Sequence, residues 1–191
     1  MWFVSTEVNR RKHTFGGQKI QSLKTISTPT DRLVLLDCTQ WFVEEIKQLD
    51  GVIRVALIGS ICTNQEKPKD IDILITIREG MDIKGIATLK RKLSGRIQRG
   101  SLGADVFLVE NGQYIGRPCN YREPWVRVAC AEDKNVCHID RPFLCDTSRN
   151  FQLGKEVVKN PPIILWPEVT ANIAIPHDIK SRWFLKNGML N

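Results

Sequence analysis

The sequence predicts an α+β fold: a small mixed β-sheet with helices on one face, extended by extra short strands and an irregular C-terminal region. Three observations predict it. Patterned segments follow the order helix, strand, strand, helix, strand. The strand segments are short, apolar and rich in β-branched residues, and they end at glycines or polar turns. The chain has 191 residues, 42 % hydrophobic and 26 % charged, an ordinary composition for one domain that buries its own core.

Residues 1–28 are polar and basic, contain Gly16-Gly17 and hold no sustained period, so they predict a flexible basic arm. From Asp31, the residues Leu35, Cys38, Phe42, Ile46 and Leu49 recur at three- and four-residue steps, one face of a helix. Thr30 or Asp31 can cap its first turn, and Gly51 ends it. Val52 to Ile58 reads as a strand that stops at Gly59-Ser60. Thr63 to Lys69 is a polar loop with a proline, and a second strand runs from Asp70 to Ile77. Ile86, Leu89, Leu93 and Ile97 then mark a helix whose other sides carry Lys84, Lys90, Arg91, Lys92, Arg96 and Arg99. A third strand follows at Ala104 to Val109, and Asn111-Gly112 is a hairpin signal that folds Gln113 to Gly116 back on it. Beyond residue 117 the pattern weakens. Trp125 to Ala129 and Val136 to Cys145 read as short strands, Ile163 to Trp166 as extended, and Pro176 to Lys186 as a short helix. Trp166, Trp183 and Phe184 are expected to pack this tail on the core. The expected organisation is an arm (1–28), a core (29–116) and a C-terminal extension packed on it (117–191).

The formal net charge of +7 favours anionic partners without choosing among them. Part of the excess lies in Arg10 to Lys24 and in Lys84 to Arg99, which fits either a solvated basic face or contact with a polyanion. No apolar run approaches a membrane span. Met1 to Val4 is apolar, but Glu7, Arg10, Arg11 and Lys12 follow at once, too soon for a signal-peptide core. A cytoplasmic protein with no membrane partner is expected, its six cysteines reduced. Cys119, Cys130, Cys137, His138 and Cys145 are widely spaced and contain no CxxC pair. Cys137 and His138 are adjacent, so in a strand they would face opposite ways, and the pattern speaks against zinc.

Three features sit at the ends or inside of predicted strands and carry chemistry. Gly59-Ser60 follows a strand, where a glycine lets the backbone turn and approach a ligand, and the serine adds a hydroxyl and an N–H suited to phosphate. Asp70 and Asp72 are two residues apart in a strand, so both carboxylates point one way while Ile71, Ile73 and Ile75 point the other. Paired carboxylates repel, and a hard cation such as Mg²⁺ relieves the repulsion. Asp105 interrupts an otherwise apolar strand, poor strand chemistry unless it lies beside Asp70 and Asp72 and supplies a third carboxylate. Three such carboxylates suit two metal ions about 3.5–4 Å apart. Each feature also has a plainer reading: a strand-ending turn, a strand-entry cap, and a salt bridge from Asp105 to an arginine of the preceding helix. Lys67 and Lys69, in the loop before Asp70, are candidates for phosphate contact or plain solvated lysines.

Ile58-Gly59-Ser60, nine intervening residues, then Asp70-Ile71-Asp72-Ile73 resembles the signature of the polymerase-β-like nucleotidyltransferase superfamily. Asp105 stands where that superfamily carries its third acid, and the resemblance covers about residues 31–116. It implies the nucleotidyltransferase fold. It also implies transfer of a nucleoside monophosphate from a nucleoside triphosphate such as ATP to an acceptor, with release of pyrophosphate. By the same likeness Gly59 and Ser60 hold the triphosphate, Asp70 and Asp72 hold two Mg²⁺ ions, and Asp105 completes the nucleophile-side metal and takes the acceptor's proton. The acceptor is left open among a small molecule, a protein hydroxyl and an RNA end. Residues 117–191 depart from the helical second domain of many relatives, which leaves acceptor and base without matching residues. A catalytically inactive binding or regulatory protein on the same fold, antitoxin-like or nucleic-acid-binding, is the competing expectation.

Overall fold

The structure, a computed structural model, describes residues 31–97, 102–120, 141–145 and 161–183. The fold is α+β. Helix α1 (Asp31–Ile46) leads into β1 (Val52–Ile58), then β2 (Asp70–Ile77), α2 (Lys84–Ile97), β3 (Gly103–Glu110), β4 (Gln113–Pro118), β5 (Leu144–Cys145), β6 (Ile163–Trp166) and α3 (His177–Trp183). The strands form one mixed sheet in the order β5-β4-β3-β2-β1-β6. Only β2 and β3 run parallel; β1 pairs antiparallel with β2 and β6, and β4 with β3 and β5. Parallel neighbours need a crossover, and α2 supplies it.

Strand alternation sets the layers. Ile71, Ile73 and Ile75 of β2 are fully buried, together with Val106 and Leu108 of β3 and Val55 and Leu57 of β1. They share one core with Leu35, Leu36, Phe42 and Ile46 of α1 and Ile86, Leu89, Leu93 and Ile97 of α2. Each such side chain stabilises the fold by roughly 1.5–3 kcal/mol. The expected stripe on α1 is present, with Cys38 only half-buried at its margin. Helix α1 closes through three-residue bonds, Gln48 N to Glu45 O and Leu49 N to Ile46 O, before Gly51. The turn at Asn111-Gly112 has φ of 50° and 76°, the pair of positive values that a two-residue hairpin demands.

The C-terminal segment enters the same sheet. β6 pairs with β1 at the edge, and Ile179 and Trp183 of α3 join the core. Trp166 packs against that core half-buried. Of the stretch Val136 to Cys145, only Leu144–Cys145 is strand among the described residues, and a turn precedes it. The short helix expected within Pro176 to Lys186 is α3, and His177 opens it. The basic arm, Arg99, Trp125 to Ala129, Cys130, Cys137, His138 and Phe184 lie outside the described residues. No helix among the described residues is long and apolar enough to cross a membrane.

Candidate functional site

β1 ends where β2 carries its second aspartate, with Ile58 directly opposite Asp72. Gly59 then adopts φ 77° and ψ −159°, a conformation essentially reserved for glycine. A Cβ at Gly59 would overlap Oδ2 of Asp72 and lie 3.2 Å from its Cγ and 3.3 Å from its Cβ. The glycine therefore answers two needs at once: the backbone turn, and room for the carboxylate beneath it. The chain continues through a single 3₁₀ turn, Ser60–Cys62. Cys62 N donates to Gly59 O (3.2 Å), and Thr63 N and Oγ1 donate to Ser60 O (3.1 and 2.7 Å). From below, Arg32 of α1 donates to the carbonyls of Ile61 (3.1 Å) and Gln65 (3.0 Å).

Parallel pairing sets Asp72 beside Asp105 and Asp70 beside Gly103. Neighbouring strands lie about 4.7–4.9 Å apart, and residues in register share a face. Asp70, Asp72 and Asp105 thus crowd one end of the face turned away from α1 and α2. Asp70 is exposed, while Asp72 and Asp105 are half-buried. The crowding has an electrostatic signature. Burial, followed by the charges of Asp70 and Asp105, pushes the Asp72 carboxyl up from 3.8 to about 6. Among the described residues no three His, Cys, Asp or Glu side chains are gathered as they would be around a bound ion.

Asp105 has an ion-pair partner, and it is not on the preceding helix. Arg117 Nη1 of β4 lies 3.4 Å from Asp105 Oδ1. The arginine comes from the next strand because the Asn111-Gly112 hairpin folds β4 back along β3. Lys90 of α2 is buried (6 % exposed) rather than solvated, and it donates to Asn120 Oδ1 at 2.5 Å. Burial pulls its pKa down, and the nearby Asp105 charge opposes that pull. The rest of the basic helix is mixed: Lys84, Lys92 and Arg96 are exposed, and Arg96 lies over the Trp41 ring at 4.0 Å.

Sequence reasoning thus named five residues that the fold gathers: Gly59, Ser60, Asp70, Asp72 and Asp105. Lys67 and Lys69 are exposed on the approach to β2, where the Lys69 carbonyl accepts from Gly103 N (2.9 Å). Arg32, Lys90 and Arg117 escaped sequence reasoning. Arg32 alone left a sequence signal, a cation within a helix face of leucines. The Cys62 thiol behind the loop is pushed up to about 12, chiefly by burial, and is held as an inert thiol. Two hollows in the helical layer, of about 540 Å³ (with Leu49, Lys84 and Leu89 in the lining) and about 380 Å³ (with Val43, Trp166 and Trp183), include none of the three carboxylates.

Compared with known families, residues 5–129 match DUF6932, described as a family of unknown function. The match spans more than half of the 191 residues. The chain belongs to the DUF6932 family. Comparison with curated proteins and with solved structures finds no match. The DUF6932 match takes in Gly59, Ser60 and all three carboxylates, and it ends before β5, β6 and α3. Since the family's description assigns no activity, the chemistry has to be argued from these residues.

Proposed function

We propose that this protein is a metal-dependent nucleotidyltransferase, moving a nucleoside monophosphate from a nucleoside triphosphate to an acceptor hydroxyl with release of pyrophosphate. The observation that carries the reading is the register of Asp72 with Asp105 on parallel strands, with Gly59 folded over the Asp72 carboxylate. The likeness of Ile58-Gly59-Ser60 and Asp70-Ile71-Asp72 to the polymerase-β-like signature supports it.

By residue type the donor set suits a hard cation, although the three carboxylates are not drawn together as they would be around a bound ion. Three carboxylates crowd one patch, and Asp72 holds its proton unusually tightly, first because it is half-buried and then because Asp70 and Asp105 are charged beside it. Asp70, Asp72 and Asp105 would hold Mg²⁺, which supplies charge neutralisation for the phosphates. The chain's own residues do the rest. The Gly59-Ser60 backbone and the Ser60 hydroxyl orient the triphosphate. The acceptor oxygen bonds to the α-phosphorus as the bond from that phosphorus to pyrophosphate breaks, and the electron pair leaves on pyrophosphate. Asp105 takes the acceptor's proton. Positioning and charge stabilisation carry the rate. The exposed Lys67 and Lys69, in the loop before Asp70, would contact phosphate oxygens. The acceptor is a small molecule, a protein or an RNA end, and the net charge of +7 favours a polyanion.

One observation favours a second reading, a non-catalytic nucleotide-binding or regulatory module on the same fold. Arg117 beside Asp105 already compensates the third carboxylate, and a guanidinium there competes with a cation. Melting temperature separates the two. With ATP or GTP at about 100 times Kd, a native-state ligand adds roughly 2.7 kcal/mol. The transferase reading expects that rise with Mg²⁺ and its loss in Asp70→Ala/Asp72→Ala. A rise independent of Mg²⁺ and of both aspartates supports the second reading, and no rise with any nucleoside triphosphate overturns the first.

A further inference from the structure

Arg32 lies near the start of α1, and its side chain is only 9 % exposed. Buried guanidinium groups are rare unless their donors are met. Here they are met from two directions. Nε donates to Asp178 Oδ2 at 2.6 Å and Nη2 to Asp178 Oδ1 at 3.2 Å, a two-pronged charge-assisted pair. Nη2 and Nη1 also donate to the carbonyls of Ile61 and Gln65. Those carbonyls belong to the loop that begins at Gly59-Ser60. Asp178 belongs to the first turn of α3, 146 residues from Arg32. Burial alone would push the Asp178 carboxyl up, but the hydrogen bonds and charge of Arg32 and the N–H of Ile179 hold it below its ordinary value. A second ion pair, Arg182 to Asp37, also fastens α3 to α1. The loop has its own short-range bonds, yet its far end, Gln65, is tied to the body of the protein through Arg32.

We propose that Arg32 and Asp178 are positioning residues: a clasp through which α3, outside the DUF6932 match, sets the geometry of the Ser60–Gln65 loop and so of nucleotide binding at Gly59-Ser60. The nucleotide part rests on the transferase reading; the hold on the loop does not. One guanidinium spans all three partners, so its orientation toward the loop carbonyls depends on the carboxylate behind it. Without that carboxylate the charge is left buried and unpaired, and the side chain is driven toward water and away from Ile61 and Gln65.

The test compares wild type with Asp178→Asn and Asp178→Glu in the full chain, first by amide hydrogen exchange without ligand. In Asp178→Asn the Cys62 and Thr63 amides should exchange about ten-fold faster, with the amides of β2 and β3 unchanged as the measure of an intact fold. Asp178→Glu, which keeps the charge, should recover part of the protection. Steady-state kinetics form the second arm. KM for the nucleoside triphosphate should rise about ten-fold in Asp178→Asn while kcat changes less. Wild-type exchange at Cys62 and Thr63 overturns the clasp, and faster exchange with KM unmoved overturns its link to nucleotide binding. If Cys62 and Thr63 do exchange faster but wild type binds no nucleotide, the hold on the loop stands and the transferase reading falls.

Discussion

The two faces of β2 are built from the same eight residues and treat water in opposite ways. Ile71, Ile73 and Ile75 are fully buried against the helices, while Asp70, Asp72, Leu74 and Thr76 keep part or most of their exposure on the other side. The pleat does the sorting, since alternate side chains leave a strand in opposite directions. One face works for stability and the other against it. The isoleucines contribute apolar burial, whereas partial burial, followed by the charges of Asp70 and Asp105, raises the Asp72 carboxyl to about 6. Charge of that kind, kept at a strand end beside a glycine shaped around it, is what a site for cationic and phosphate ligands requires. The faces should therefore respond to substitution with opposite signs, and that contrast can be broken experimentally.

The largest effect is expected on the buried face. Ile73→Ala should lower unfolding stability by about 3 kcal/mol, read from the denaturant midpoint, because the surrounding core collapses only partly around the lost atoms. A loss below about 1 kcal/mol would mean that this face is not the packed core described. A smaller effect of opposite sign is expected across the strand. The Asp72 carboxyl is raised from 3.8 to about 6 in the folded state, so the folded protein binds that proton more tightly than the unfolded chain does. Its contribution to stability therefore falls as pH rises from about 4 to about 6, and the cost is fully present above that. Without divalent cations, Asp72→Asn should melt a few degrees higher than wild type at pH 8, and the gain should fade as pH drops below about 6. A gain that stayed constant down to pH 4 would contradict an electrostatic origin in the crowded carboxylates.

Sequence and structure agree best where a pattern repeats within one element. The strand from Asp70 to Ile77 was readable because isoleucines alternate along it, and the hairpin because Asn111-Gly112 tolerates two positive φ angles. Asp105 was readable for the converse reason: an aspartate in an apolar strand has a cost that calls for a reason, and the reason is its register with Asp72. What escaped are contacts made by single long side chains across distant parts of the chain. Nothing periodic links Arg32 to Asp178, or Lys90 to Asn120, and Arg117 reaches Asp105 only because β4 folds back along β3. The late strands were hard for a related reason. β6 coincides with the stretch Ile163 to Trp166 read as extended, but two residues in β5 and four in β6 are too few to show a period, and their pairing with β4 and β1 is settled by tertiary contacts.

The central claim concerns the carboxylate face, and it is tested most directly by covalent transfer. Wild type and Asp70→Ala/Asp72→Ala are incubated with Mg²⁺, a cell extract as the source of acceptor, and nucleoside triphosphates labelled at the α-phosphate. Wild type should transfer label to an acceptor and release unlabelled pyrophosphate, and the double variant should fall by about a thousand-fold or more, equivalent to roughly 4 kcal/mol of lost transition-state stabilisation. Equal transfer by the two proteins, or none by wild type with any of the nucleotides, would contradict it.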